Sequence, residues 1–204
     1  MPDEQSDDET SAVSDPGDQP AVVGGPAASD GLLLQEPTVA DGPDLWRLAR
    51  DSGLDMNSPY AYTLWSRDFA ATSVIARDSE HNPRGFVTGF VRPAYPETYF
   101  LWQVGVDPGF RGRRLARRML DHIGDRIAEL GLTYLEATVT PDNAASRALF
   151  ESFARSRECT AVWSPLFGSE HFPADDGEGH EPEDLVRIGP LGRPGADRST
   201  SADI

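Results

Sequence analysis

Lysine is absent: all 18 basic side chains of this 204-residue chain are arginine. Schiff-base chemistry and a tunable amine base are thereby excluded, because an arginine guanidinium keeps its proton in proteins. Cysteine is almost as scarce. The lone Cys159 cannot form an internal disulfide, and it opens an apolar run to Trp163 with no histidine near it in sequence, so it reads as a packing residue rather than an activated thiol. No apolar stretch approaches the roughly 20 residues needed to cross a bilayer. The acidic N-terminus is the opposite of a basic secretion signal. A cytoplasmic protein with no membrane partner is expected.

Basic residues are also missing from residues 1–31, which carry eight acidic ones among Pro, Gly, Ser and Ala. Such a segment cannot bury enough apolar surface to fold alone and is expected to be a disordered tail. It holds half of the formal net charge of −16, leaving −8 on residues 32–204, an acidic balance that disfavours a nucleic-acid partner. Residues 191–204, rich in Gly, Pro, Ser and Asp, read as a second tail. One domain over residues 32–190 is expected between them.

Within that domain the patterning alternates between strand and helix. Leu32–Leu34 reads as a strand; Asp41, Pro43 and Gly53 punctuate a helix; Ser58 and Pro59 start another, with Tyr62, Trp65 and Phe69 as its apolar stripe. Ser73–Ala76 and Gly85–Val91 flank a turn-rich link and read as a hairpin, followed by a strand over Thr98–Val106. A crossover helix over Gly112–Leu130 should feed a parallel strand at Thr133–Thr140. Asn143 can cap a further helix, and Cys159–Trp163 supplies another strand. Residues 174–184, with six acidic side chains and no basic one, read as a loop.

The most informative stretch is QVGVDPGFRGRRLARRML, Gln103 to Leu120, which couples the strand to the crossover helix through a Gly- and Arg-rich turn. N–H groups unpaired in a first helical turn, together with the helix dipole, favour an anion at that place. This turn resembles that of the GCN5-related N-acetyltransferase family, in which an Arg/Gln-x-x-Gly-x-Gly/Ala motif cradles the pyrophosphate of acetyl-CoA. Arg111 and Ala116 match it, whereas Arg114 stands where the family usually carries its central glycine. The resemblance implies an α/β (α+β) GNAT fold: a mixed, mostly antiparallel sheet with a parallel strand pair splayed around the acetyl-CoA site and helices on both faces. It further implies backbone contacts to the cofactor from Gln103, Val104, Gly105 and Val106, a phosphate cradle of Arg111, Gly112, Arg113, Arg114, Leu115 and Ala116, and a second element at Asn143 and Ser146. Phe150 departs from the pattern, because many members carry there a tyrosine that protonates the departing thiolate. Members often dimerise, so a homodimer is expected.

Three distant segments narrow the resemblance: Leu54 to Tyr62 (LDMNSPYAY), Leu101 to Val104 (LWQV), and His180 to Pro190 (HEPEDLVRIGP). Together they resemble the L-2,4-diaminobutyrate acetyltransferases of ectoine biosynthesis. That implies transfer of acetyl from acetyl-CoA to the γ-amine of diaminobutyrate, with Asp55, Tyr60, Trp102, His180 and Glu183 binding the substrate and Glu183 or Asp55 as candidate catalytic bases. The chemistry is consistent with a small diamino acid, since carboxylates hold ammonium groups and an aromatic face over a cation contributes about 0.5–2 kcal/mol. Read by themselves, Asp55 would be a turn residue, Tyr60 and Trp102 core aromatics, and Glu183 part of a solvated loop. No metal is expected, because His171 and His180 have no thiolate or structured carboxylate framework around them. Two alternatives stay open: acetylation of another diamine or amino acid, and a non-catalytic CoA-binding sensor.

Overall fold

The computed structural model describes residues 31–173 and 180–192. Residues 1–30 and 193–204, in which the two tails are expected, and residues 174–179 of the expected acidic loop lie outside the described residues. One seven-stranded sheet runs in the order β1-β2-β3-β4-β5-β7-β6. Its strands are β1 (Leu33–Gln35), β2 (Val74–Arg77), β3 (Pro83–Arg92), β4 (Tyr95–Val106), β5 (Tyr134–Val139), β6 (Thr160–Phe167) and β7 (Glu183–Gly189). Neighbours are antiparallel except β4 and β5, the pair joined by the crossover helix.

The helices are α1 (Gly42–Ser52), α2 (Pro59–Asp68), α3 (Leu115–Glu129) and α4 (Ala144–Ser156). One apolar side of α1 and α2, made by Leu45, Leu48, Ala49 and Tyr62, is buried against Ile75 and Phe86. On the opposite face, α3 offers Leu115, Met119, Leu120, Ile123 and Ile127, and α4 offers Phe150 and Phe153, to Val87, Tyr99, Leu101, Leu135 and Val186. Full burial of each such side chain contributes roughly 1.5–3 kcal/mol, so the two faces fix the sheet between two helical layers. Leu191, which its composition places at the start of the C-terminal tail, is buried in the larger core, and its N–H donates to the Thr133 carbonyl at 2.7 Å.

Local chemistry explains most element ends. Ser58 accepts from the Ala61 N–H at 3.3 Å, and Gly53 closes α1 at φ 75°, a conformation costly for any residue with a Cβ. Asp41 stands at the cap of α1 as its position predicts, but its carboxylate turns back to the Thr38 N–H (2.6 Å) and pairs with Arg77 instead of capping. The strand β7 is absent from the sequence reading, which passes from the acidic loop to the tail. It enters between β5 and β6 and carries Glu183 as its first residue.

Candidate active site

Two poles meet where β4 and β5 part. Their parallel ladder joins Thr98–Leu101 to Tyr134–Ala137 and goes no further, although β4 runs on to Val106. A bulge falls at the same point: Thr88 pairs with Gln103 and Gly89 with Leu101, so Trp102 is the extra residue. Bulges bend a strand and re-aim its side chain. Here β4 leaves its neighbour, and from Trp102 to Val106 the edge that faced β5 has no strand partner.

The first pole is a cleft of about 1040 Å³ on the side of α3 and α4, large for a pocket that holds a drug-sized molecule. Val104 and Val106 form its wall on β4; Arg111, Gly112, Arg114, Leu115 and Ala116 form its floor; Asn143, Ser146 and Leu149 close it from α4. The floor turn is shaped by left-handed residues, Gly112 at φ 75° and Arg114 at φ 59°. The first helical bond after it is Arg118 N–H to the Arg114 carbonyl at 3.0 Å, and no side chain caps α3. The preceding N–H groups therefore form a concave donor set at a positive helix end, the arrangement that binds phosphate oxygens. Arg114 shows why a glycine suits this position: a left-handed conformation costs an L-residue about 1–2 kcal/mol.

Of the remaining residues expected at the cofactor, Gln103 and Gly105 do not line the cleft. The Gln103 side chain is buried, accepting from Tyr62 Oη at 3.1 Å and donating to the Asp55 carbonyl at 3.0 Å. It fastens the loop before α2 to β4. A Cβ at Gly105 would overlap the Phe86 ring, so this glycine is required by core packing. Arg113 lies over the Phe110 ring at 4.7 Å and is not on the floor. Arg117 is committed to Asp121 at 2.9 Å and Ser152 at 2.6 Å. Asn143 both faces the cleft and caps α4, its Oδ1 accepting from the Ser146 N–H at 3.0 Å. Phe150 is closed into the core and offers no polar group.

The second pole lies on the other face of the sheet and gathers residues from three distant segments. His180 Nε2 is 3.7 Å from Asp55 Oδ2, and the His180 ring stacks on Phe172 with centroids 3.8 Å apart. Glu183 feels both: burial pushes its carboxyl above the ordinary glutamate value, His180 and the Thr138 hydroxyl draw it back, and Asp55 and Asp184 push it up again. Its Oε2 is buried without any hydrogen-bond partner. An orphan carboxylate oxygen inside a protein is costly and calls for a cation or a donor. Trp102 packs on Trp65 at 4.2 Å, with Phe69 behind Trp65 at 4.7 Å, while the side chain of Asp55 is 94% exposed and Tyr60, in the first turn of α2, is 72% exposed. The poles are contiguous along the chain. Leu54, in the cleft wall, precedes Asp55, and Val104, also in the wall, follows the Gln103 that holds the Asp55 carbonyl.

Thr138 and Trp65 were missed by sequence reasoning, as were Ser52 and Leu54 of the cleft wall. Thr138 is the first residue of β5 beyond the end of the parallel ladder, a signal available only once the register is known. Among the described residues, no three His, Cys, Asp or Glu side chains gather as a metal would need.

Comparison with known proteins agrees with this fold. The model of the acetyltransferase (GNAT) family matches residues 43–154. The L-2,4-diaminobutyric acid acetyltransferase of Streptomyces coelicolor is 53% identical over 167 residues, spanning 81% of this chain and 96% of that protein. That of Halomonas elongata is 40% identical over 84% of this chain and 86% of its own. The solved diaminobutyrate acetyltransferase of Paenibacillus lautus, in complex with its substrate L-2,4-diaminobutyric acid and coenzyme A, superposes with a TM-score of 0.75 at 38% identity, over 81% of this chain and 99% of that one. The chain belongs to the acetyltransferase (GNAT) family, and within it to the group of the L-2,4-diaminobutyric acid acetyltransferases.

Proposed function

We propose that this enzyme transfers the acetyl group of acetyl-CoA to the γ-amine of L-2,4-diaminobutyrate, giving N-γ-acetyl-L-2,4-diaminobutyrate for ectoine biosynthesis. The observation that carries the reading is the meeting of Asp55, His180 and the half-buried Glu183, with its unpartnered Oε2, beside the opening between β4 and β5. Acetyl-CoA is the co-substrate, its phosphates at the α3 turn and its thioester at the unpaired edge of β4. Asp55 and Glu183 hold ammonium, with Tyr60, Trp102 and His180 completing the wall.

The amine attacks the thioester carbonyl directly in a ternary complex, and no acyl-enzyme forms. An alkyl ammonium resembles lysine, with a pKa near 10, so a proton must first leave. Burial raises the affinity of the Glu183 carboxylate for that proton, which suits a general base. A backbone N–H on the free edge of β4 receives the developing oxyanion, an interaction of roughly 3 kcal/mol by analogy with other oxyanion donors. The thiolate leaves without help from position 150, where a phenylalanine is enclosed in the core.

The reading also includes a homodimer in the cytoplasm. The edge strand β6, with Val162, Leu166 and Phe167 exposed, supports self-association, and sedimentation should show twice the monomer mass. Thiol release from acetyl-CoA tests the reaction. It should depend on diaminobutyrate and be much slower with ornithine or lysine; equal rates with all three would assign a broader amine acetyltransferase, and no release with any would leave a CoA-binding protein.

A further inference from the structure

Diaminobutyrate carries a carboxylate as well as two amines, and the second pole described above is acidic. A cationic group on the same face of the sheet would complement this carboxylate. Glu136 on β5 points to that face, as does Thr138 two residues on, and it is 2% exposed. Arg92 from β3 and Arg187 from β7 both pair with it, one on each carboxylate oxygen. Two guanidinium groups on one carboxylate leave a surplus of one positive charge. Each arginine spends a single N–H on Glu136 and is fixed by an aromatic ring, Tyr95 at 4.5 Å beneath Arg92 and Tyr134 at 3.8 Å beneath Arg187. Arg92 also opens into a small pocket of about 230 Å³ whose other walls are Phe90, Phe100, Leu166, Phe167 and Leu185.

The spacing suits an amino acid. Thr138, which touches Glu183, and Glu136, which holds the arginines, are two residues apart on one strand, about 6.6 Å along it. Three carbons separate the carboxylate of diaminobutyrate from its terminal nitrogen, about 5 Å when extended. Leu185 of β7 pairs with Thr138, and Arg187 with Glu136, so β7 lays the acidic and basic ends along one line. Arg147, also near β7, is tied to Asp184 at 3.0 Å and lies over Trp163 on the face covered by α3 and α4. From this arrangement we propose that the Arg92–Glu136–Arg187 cluster is the specificity element for the substrate carboxylate, with Arg92 as the residue that contacts it, so that the enzyme distinguishes an amino acid from a plain diamine.

The inference rests on the reaction proposed above, and the test separates the two. Diaminobutyrate and 1,3-diaminopropane, the same molecule without its carboxylate, are compared as acetyl acceptors. Wild type should favour diaminobutyrate, and Arg92→Gln should reduce the ratio of the two kcat/KM values roughly 10- to 100-fold, the loss of one charge-assisted hydrogen bond. The loss should fall on the KM for diaminobutyrate. Arg92→Lys, which keeps the charge, should retain most of the ratio, and Arg187→Gln should lower it less than Arg92→Gln. An unchanged ratio in folded Arg92→Gln and Arg187→Gln, with wild type still preferring diaminobutyrate, would overturn the inference alone. A wild-type enzyme that turns over neither amine would sink the reaction assignment and this inference with it.

Discussion

Glu183 experiences opposite demands in folding and in binding. Burial raises its pKa in the folded state, so folding favours its protonated form. The stability it permits is complete below the ordinary glutamate value and is lost as pH rises through the raised value. Glu183→Gln removes that penalty while keeping the shape. Thermal melting should show the variant more stable than wild type at neutral pH by about 1 kcal/mol, the low end for an unsatisfied buried polar atom in a half-buried residue. Below the ordinary glutamate range the difference should vanish. Arg114 presents a similar conflict between backbone and function at φ 59°. Arg114→Gly should raise stability by about 0.5–1 kcal/mol in a denaturant titration, because glycine adopts this conformation without the Cβ clash.

At the level of elements, the bulge at Trp102 and the side chain of Gln103 do the positioning. The bulge frees the edge of β4, and Gln103 then ties the loop of Asp55 to that edge through Tyr62 and the Asp55 carbonyl. Gln103→Ala should therefore weaken the amine site without touching the cofactor turn: the KM for diaminobutyrate rises about tenfold, from loss of two hydrogen bonds, while the KM for acetyl-CoA stays within about twofold. Equal increases in both would mean that the tie serves the whole strand. Gly105→Ala should lower the denaturation midpoint by an amount equivalent to about 1–3 kcal/mol, the cost of overpacking against Phe86. The helices and the β4-turn-α3 unit were legible in the sequence because their signals are local: Ser58-Pro59, Gly53, and the arginines around Gly112. β7 was not, because Leu185 to Ile188 is a short run behind acidic residues, and its pairing with β5 and β6 is set by tertiary contacts. The bulge was equally hidden, since Trp102 differs from its neighbours only in how β3 pairs with it.

Across the whole molecule, the sheet separates the two chemistries. The cleft at the ends of α3 and α4 lies on one face, the acidic residues Asp55 and Glu183 on the other, and the gap between β4 and β5 lies between them; the reading proposed above assigns the cofactor anions to the first and the amine to the second. In the first pole the residues from Val104 to Ala116 were traceable from one contiguous motif and Asn143 and Ser146 from another, whereas Ser52 and Leu54 were not. Those of the second came from segments some 130 residues apart, so chemistry alone pointed to turn, core and loop roles, and only folding brings Asp55 and His180 within 3.7 Å. Because four elements share the cofactor cleft, CoA alone should stabilise the fold. At a concentration 100 times its dissociation constant the gain is about 2.7 kcal/mol, or roughly 5–10 °C in Tm.

The kinetics of Glu183→Gln with diaminobutyrate and acetyl-CoA test the central claim most directly, which is that a carboxylate on β7 receives the amine proton at the opening of the sheet. Turnover should fall about 10²- to 10⁴-fold, the range for loss of a general base, with the KM for acetyl-CoA within about twofold of wild type. Turnover close to wild type, or an equal loss in turnover and acetyl-CoA binding, would contradict it.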